Sequence, residues 1–257
     1  MLGKADLPRN LKITLAYDGR DFAGWQVQPD RPTIQGALLS AIEQLTGEST
    51  LPQGSGRTDA GVHALAQVAS VKIQSPIPLA NLRRALNDLL PASIRVLSVE
   101  EVSADFHARK SAQAKTYQYR IYRREICPPW LARYVHHHPY PLNEDAMIAA
   151  ARIVVGEHDF TSFAAVDPER RKEEMEVSNV RTIYSSEWKR EGEELIYTVR
   201  GNGFLHHMVR NLAGTFLMIG KGSLDGDDLR RILAVRNRSA AAATAPASGL
   251  FLLSVEY

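Results

Sequence analysis

A chain of 257 residues, 44% hydrophobic and 23% charged, can bury a large core as one big domain or two of ordinary size, and its composition is that of a soluble globular protein. No apolar run approaches the roughly 20 residues that span a bilayer, and the first residues lack an apolar signal core, so the expected location is the cytoplasm, with no membrane partner. The single cysteine, Cys127, excludes an intrachain disulfide and a cysteine-based metal cluster, and a formal charge of +2 is too small to name a partner by itself.

The predicted elements start with a strand over 11–17, where Leu11, Ile13, Leu15 and Tyr17 alternate with Lys12, Thr14 and Ala16. The segment over 21–32 has no period but holds Phe22, Gly24 and Trp25, and aromatics in such a glycine-containing loop serve as packing plugs or as stacking surfaces. Thr33 caps a helix with Ile34, Ala37, Leu38, Ala41, Ile42 and Leu45 on one face, and Gly47 stops it. A glycine-rich loop over 54–64 feeds a strand over 62–73. A helix over 79–90 turns Leu79, Leu82, Leu86 and Leu89 inward and ends at Pro91, and 94–102 reads as a strand.

This order makes one α+β or α/β unit over 1–104, and a second unit is expected over 105–257. There the span 113–123 alternates, with Lys115, Tyr117, Tyr119, Ile121 and Arg123 on one face. Asn143 caps a helix to Val155 closed by Gly156. Strands over 179–188 and 195–201 flank a polar turn over 189–194, helices are expected over 204–219 and 227–235, and 250–257 is a terminal strand. The stretch 167–176, D-P-E-R-R-K-E-E-M-E, is a solvated loop or a nucleic-acid contact.

The chemistry concentrates in the loop G-S-G-R-T-D-A-G-V-H-A over 54–64, which so many glycines mark as tight, exposed and open to a ligand. It is neither a P-loop nor a dinucleotide fingerprint. In an extended segment Arg57 and Asp59 project to the same side, a guanidinium and a carboxylate over one patch; the alternative is a turn in which Asp59 bonds nearby backbone. Adjacent His136, His137 and His138 do not make a tetrahedral metal site, and His206 and His207 are expected to point in different directions. The basic strand K-T-Y-Q-Y-R-I-Y-R-R over 115–124 suits base stacking with phosphate binding, or simply tyrosines covering a sheet. Arginines cluster at Arg83-Arg84, Arg123-Arg124, Arg170-Arg171 and Arg230-Arg231, a pattern able to hold phosphates.

The loop, with F-H-A-R-K over 106–110, K-T-Y-Q-Y-R over 115–120, N-G-F-L-H-H-M-V-R-N over 202–211 and G-L-F-L over 249–252, resembles the TruA family of tRNA pseudouridine synthases over nearly the whole chain. The resemblance implies the α+β pseudouridine synthase fold: two α+β halves whose antiparallel sheets join into one, with a cleft at their junction. It also implies a cytoplasmic homodimer that isomerises uridines 38, 39 and 40 of the tRNA anticodon stem-loop with no cofactor and no metal. Asp59 then corresponds to the catalytic aspartate, Tyr117 to the tyrosine that stacks on the target base and Arg57 to the arginine that assists flipping. Arg210 corresponds to the arginine that pairs with the aspartate, and Leu250 to the apolar residue lining the pocket. Further RNA contacts are expected from Phe106, His107, Ala108, Arg109 and Lys110 and from Arg170, Arg171 and Lys172. A non-catalytic RNA-binding protein and a small-molecule enzyme are the rival classes. The first has no use for Asp59 near phosphates, and the second no use for dispersed arginines.

Overall fold

In the computed structural model residues 8–166 and 178–257 are described; the charged stretch over 167–176, and with it Arg170, Arg171 and Lys172, lies outside the described residues. Contacts divide the chain into one unit of Met1–Gln113 with Leu252–Tyr257 and another of Ala114–Phe251.

The first unit begins with β1 (Arg9–Tyr17), where Leu11, Ile13, Leu15 and Tyr17 are buried as the period of two requires. The loop after it leads to α1 (Ile34–Thr46). The Thr33 side chain accepts from Gly36 N–H at 3.2 Å, and Gly47, at φ 73, ends the helix by donating to Glu43 O. A two-residue β2 (Gln53–Gly54), the loop, and β3 (His63–Ile73) follow, then α2 (Leu79–Leu89) and β4 (Ile94–Val102). The strand order is β4-β1-β3 and then the last strand, β10 (Leu250–Glu256), with β2 also paired to β3. β1 runs antiparallel to both neighbours, so this unit is α+β.

The inward face of α2 differs from the expected one. Leu82 and Leu86 are buried and Leu90 just beyond the helix joins them, whereas Leu89 is exposed and Leu79 only half-buried. Spacing by four follows the helical stripe, and each fully buried leucine contributes about 1.5–3 kcal/mol. The turn over 105–110 also stays with the first unit: Asn10 Nδ2 donates to Ser103 O and Phe106 O, and Ala108 N–H donates to Ser70 Oγ. These tethers carry the division past residue 105 to Gln113.

The second unit contains β5 (Ala114–Tyr122), β6 (His136–His137), α3 (Glu144–Ala151), β7 (Gly156–Asp159), β8 (Val180–Glu191), β9 (Glu194–Gly201), α4 (Met208–Gly220) and α5 (Gly226–Val235). Its order is β5-β9-β8-β7, antiparallel throughout, with β6 parallel on β5. The helix capped by Asn143 ends sooner than expected; a 3-10 turn, Arg152–Val154, follows, and Gly156 opens β7 instead of closing the helix. Charged residues over 189–191 and Glu194 extend β8 and β9 until only Gly192 and Glu193 turn the hairpin.

α4 begins four residues later than its apolar pattern, because His207 takes the left-handed conformation at φ 59. It is buried nearly all round, which places it in the centre of this unit. Its interior Asn211 is satisfied at both ends, donating to Phe163 O at 2.7 Å and accepting from Thr244 Oγ1 at 2.6 Å and Arg238 Nη2 at 3.0 Å.

Candidate active site

The loop between β2 and β3 is rich in glycine yet partly buried. Ser55 is fully buried, Thr58, Val62 and His63 are buried, and Arg57 and Asp59 are half-buried. The reason is the segment over 19–25, which lies against it. The Trp25 indole is 2% exposed, and a Cβ at Gly54 would come within 2.5 Å of it. Trp25 N–H donates to Thr58 O at 3.0 Å. Of the two uses expected for Trp25, the structure assigns packing.

Thr58, between Arg57 and Asp59, is held twice: its carbonyl by Trp25, its Oγ1 by the Tyr17 hydroxyl at 2.8 Å. Asp59 O accepts from Val62 N–H at 3.1 Å, and Gly61 at φ 78 completes the turn. Gln67 on β3 spans the other side of the loop, donating to Gly56 O at 2.9 Å and accepting from Ser55 Oγ at 2.6 Å. Next to the loop, His63 Nδ1 lies 3.2 Å from Asp18 Oδ1 and accepts from Gly19 N–H at 3.3 Å. Residues that would otherwise wag are thus tied on both flanks of the Arg57-Thr58-Asp59 triplet.

The 106–110 turn is anchored elsewhere in the same unit. Phe106 packs on Tyr257 with ring centroids 4.9 Å apart, and His107 Nδ1 accepts from Arg109 N–H at 3.1 Å. Ala108 is fully buried, with its carbonyl accepting from Tyr257 Oη at 2.9 Å, so it offers no surface to a ligand; Arg109 and Lys110 are exposed. Burial lowers the His107 pKa, helped by the positive charges of Lys110 and Arg109.

Tyr117, Arg210 and Leu250 fall in the second unit. Tyr117 shares the buried face of β5 with Tyr119 and Ile121, and Phe204 meets its ring edge-on at 5.0 Å. Arg210, in the first turn of α4, donates from Nε to Ala245 O at 2.8 Å, and Ala245 N–H donates back to Arg210 O at 3.1 Å. Tyr119 Oη donates to Pro246 O at 2.9 Å, so β5, Arg210 and the strap leading into Leu250 are knit together. Burial raises the Tyr119 pKa against the opposing effect of the Arg210 charge. Leu250 is 5% exposed. The rings of His206 and His207 do not diverge: their centroids lie 4.0 Å apart, because the left-handed turn at His207 removes it from helical spacing.

Several arginines that cluster in sequence have internal partners. Arg123 lies 3.6 Å from Glu144, Arg124 donates to Glu193 at 2.7 Å, Arg230 pairs with Asp227 at 3.0 Å, and Arg231 pairs with Asp228. Sequence reading passed over Tyr17, Thr58 and Gln67, whose only signals were a tyrosine closing an alternating strand and polar residues at positions that turn out to be buried.

A family model described as tRNA pseudouridine synthase matches residues 13–109 and 150–257, a span that includes Arg57, Asp59, Arg210 and Leu250. The chain is 54% identical over 249 residues to a tRNA pseudouridine synthase A of Solibacter usitatus, covering 97% of this chain and 100% of that one. It is 46% identical over 249 residues to the enzymes of that name from Brevibacillus brevis and from Lacticaseibacillus casei, covering 97% and 96% of this chain and 100% and 98% of theirs. With a matching family model across most of its length and relatives this similar end to end, the chain belongs to the TruA family of tRNA pseudouridine synthases.

Proposed function

We propose that this protein isomerises uridine to pseudouridine at positions 38, 39 and 40 of the tRNA anticodon stem-loop, with Asp59 as the catalytic carboxylate and without a cofactor. Family membership carries the coarser part: the chain is a tRNA pseudouridine synthase, an isomerase acting on uridine in tRNA. What carries the reading is similarity over the full length of named synthases, joined to a loop that fixes the backbone on both sides of Asp59.

The reaction breaks the bond from N1 to C1′, turns the base and joins C5 to C1′; the hydrogen leaves C5 and N1 ends protonated. Atoms and electrons balance within one nucleoside. An ionised carboxylate beside the sugar and base, attacking covalently or supporting the cationic sugar and accepting the proton, suits this chemistry. The uridine must leave its stack at a cost of about a few kcal/mol, which stacking on Tyr117 and packing on Leu250 offset, with Arg57 assisting the flip. Arg210 serves as the arginine that pairs with the catalytic carboxylate, the role the family resemblance implies. Arg109 and Lys110 are exposed and suited to phosphates. The protein acts in the cytoplasm as a homodimer.

Tritium release from C5-labelled uridine in tRNA tests the reading. Asp59→Asn removes charge with little change of volume, so it abolishes release while tRNA affinity stays within about tenfold of the parent. Release by Asp59→Asn at about a tenth of the parental rate or faster rejects the role of the carboxylate.

A further inference from the structure

Tyr17, Ser55, Thr58 and Gln67 are each no more than 6% exposed and form one hydrogen-bonded chain that the reaction as described leaves unused. We propose that Tyr17 is a positioning residue: through Thr58 it fixes the backbone from which Asp59 projects, and so controls turnover without touching the uridine. The proposal rests on Asp59 being the catalytic carboxylate.

The orientation of the Gln67 amide follows from its donors. Val68 N–H can only donate, and it meets Gln67 Oε1 at 3.1 Å, where Ser55 Oγ also donates. Gln67 Nε2 therefore faces the other way and donates to Gly56 O and, at 3.4 Å, to the Tyr17 oxygen. The Tyr17 hydroxyl meets Thr58 Oγ1 at 2.8 Å, a bond in which either oxygen can donate. Burial pushes the Tyr17 pKa up to about 12, so the phenol stays neutral at any working pH and acts as a post, not as a proton source for the reaction.

The backbone is arranged to make this contact. The register of β1 against β3 shifts between Leu15 and Tyr17, and this irregularity sets Tyr17 opposite Ala64, just past the loop. Such shifts re-aim a side chain relative to a regular strand. With Tyr17 in place Thr58 is held at both side chain and carbonyl, and the half-buried Asp59 follows it directly. Removing the phenol hydroxyl leaves the Trp25 bond to Thr58 O and the packing of the ring, whose centroid is 6.4 Å from that of Trp25. The consequence is a loosened triplet in a folded protein, and a displacement of about 1 Å at a catalytic group costs on the order of 10²-fold in rate.

The experiment measures kcat and KM by tritium release, tRNA Kd and melting temperature for Tyr17→Phe, Thr58→Val, their double variant and Thr58→Ser, with Asp59→Asn as control. Tyr17→Phe and Thr58→Val are each expected to lower kcat about ten- to a hundredfold with Kd within about threefold. The double variant is expected to be no slower than the slower single, because both remove the same link. Thr58→Ser, which keeps a hydroxyl, is expected to retain at least about ten times the kcat of Thr58→Val. A residue that merely packed would change the folded fraction and leave kcat per folded molecule alone. Parental kcat in folded Tyr17→Phe, or losses that multiply in the double variant, overturns the proposal, and if Tyr17→Phe does not fold the Thr58 pair decides by the same criterion. An active Asp59→Asn marks failure of the functional reading itself, whereas an inert Asp59→Asn beside a fully active Tyr17→Phe marks failure of this proposal alone.

Discussion

Gly24 sets how closely the segment after β1 lies on the loop that carries Asp59. Its φ of 101 is strained for any other residue, and a Cβ there would sit 2.7 Å from Thr58 O, a backbone atom that cannot swing away. Gly47 offers the control. It too is left-handed, at φ 73, but a Cβ there meets nothing within 4 Å. Gly47→Ala is expected to cost about 1 kcal/mol of stability and leave kcat at the parental value. Gly24→Ala pays the same kind of backbone strain and also displaces Thr58, so it is expected to cost about 1–3 kcal/mol and to lower kcat at temperatures where the variant is fully folded. Melting curves and tritium release on the two variants separate strain from positioning; equal kcat for both would show that the Thr58 backbone tolerates the shift.

At the scale of elements, β6 is a two-residue strand whose histidines share charge-sensitive surroundings. Burial pushes the His136 pKa down to about 4, with His138, Lys221 and His137 adding like charge, and burial likewise lowers that of His138, beside Lys221 and Arg123. His136 is neutral in the fold, and the unfolded chain binds the proton first. Its contribution to stability is therefore complete above about pH 6.5, the ordinary histidine value, and is lost as pH falls from there toward the folded value of about 4. His136→Gln is expected to flatten the fall of melting temperature over that window relative to the parent, since carboxylates that titrate nearby are common to both proteins. An identical slope in the two would remove His136 from the acid response. The same comparison tests whether β6 stays docked on β5, because a solvated His136 would titrate normally.

For the molecule as a whole, a net charge of +2 understates how charge is used. Arg123, Arg124, Arg230 and Arg231 have carboxylate partners within their own unit, so arginine pairs in the sequence overcount the cations available to phosphates. The exposed pairs, those of Arg124, Arg230 and Arg231, are each worth no more than about 1 kcal/mol, and RNA can compete for them. tRNA affinity is expected to fall by at least about tenfold between about 50 and 200 mM salt, with a log–log slope shallower than one phosphate per clustered arginine would give. A flat response would favour a small-molecule substrate, and a slope matching every arginine would mean that the internal pairs open on binding.

Read alone, the sequence determined most elements and the family to which the chain belongs. Alternating apolar residues in β1 and β5, the Thr33 and Gly47 caps, and the Arg57-Thr58-Asp59 signature depend on neighbours a few positions apart, which one chain displays directly. Only the tertiary structure decided the inward face of α2, the return of Leu252–Tyr257 to the first unit, the burial of Ala108 and the internal pairing of the arginines. It also decided that a glycine-rich loop is partly buried and held by Tyr17 and Gln67, residues 41 positions before Thr58 and 11 positions after Gly56. Glycine in a sequence signals freedom of backbone and room for a close approach. Whether solvent, ligand or a tryptophan such as Trp25 fills that room depends on contacts between distant segments, which composition and periodicity do not encode.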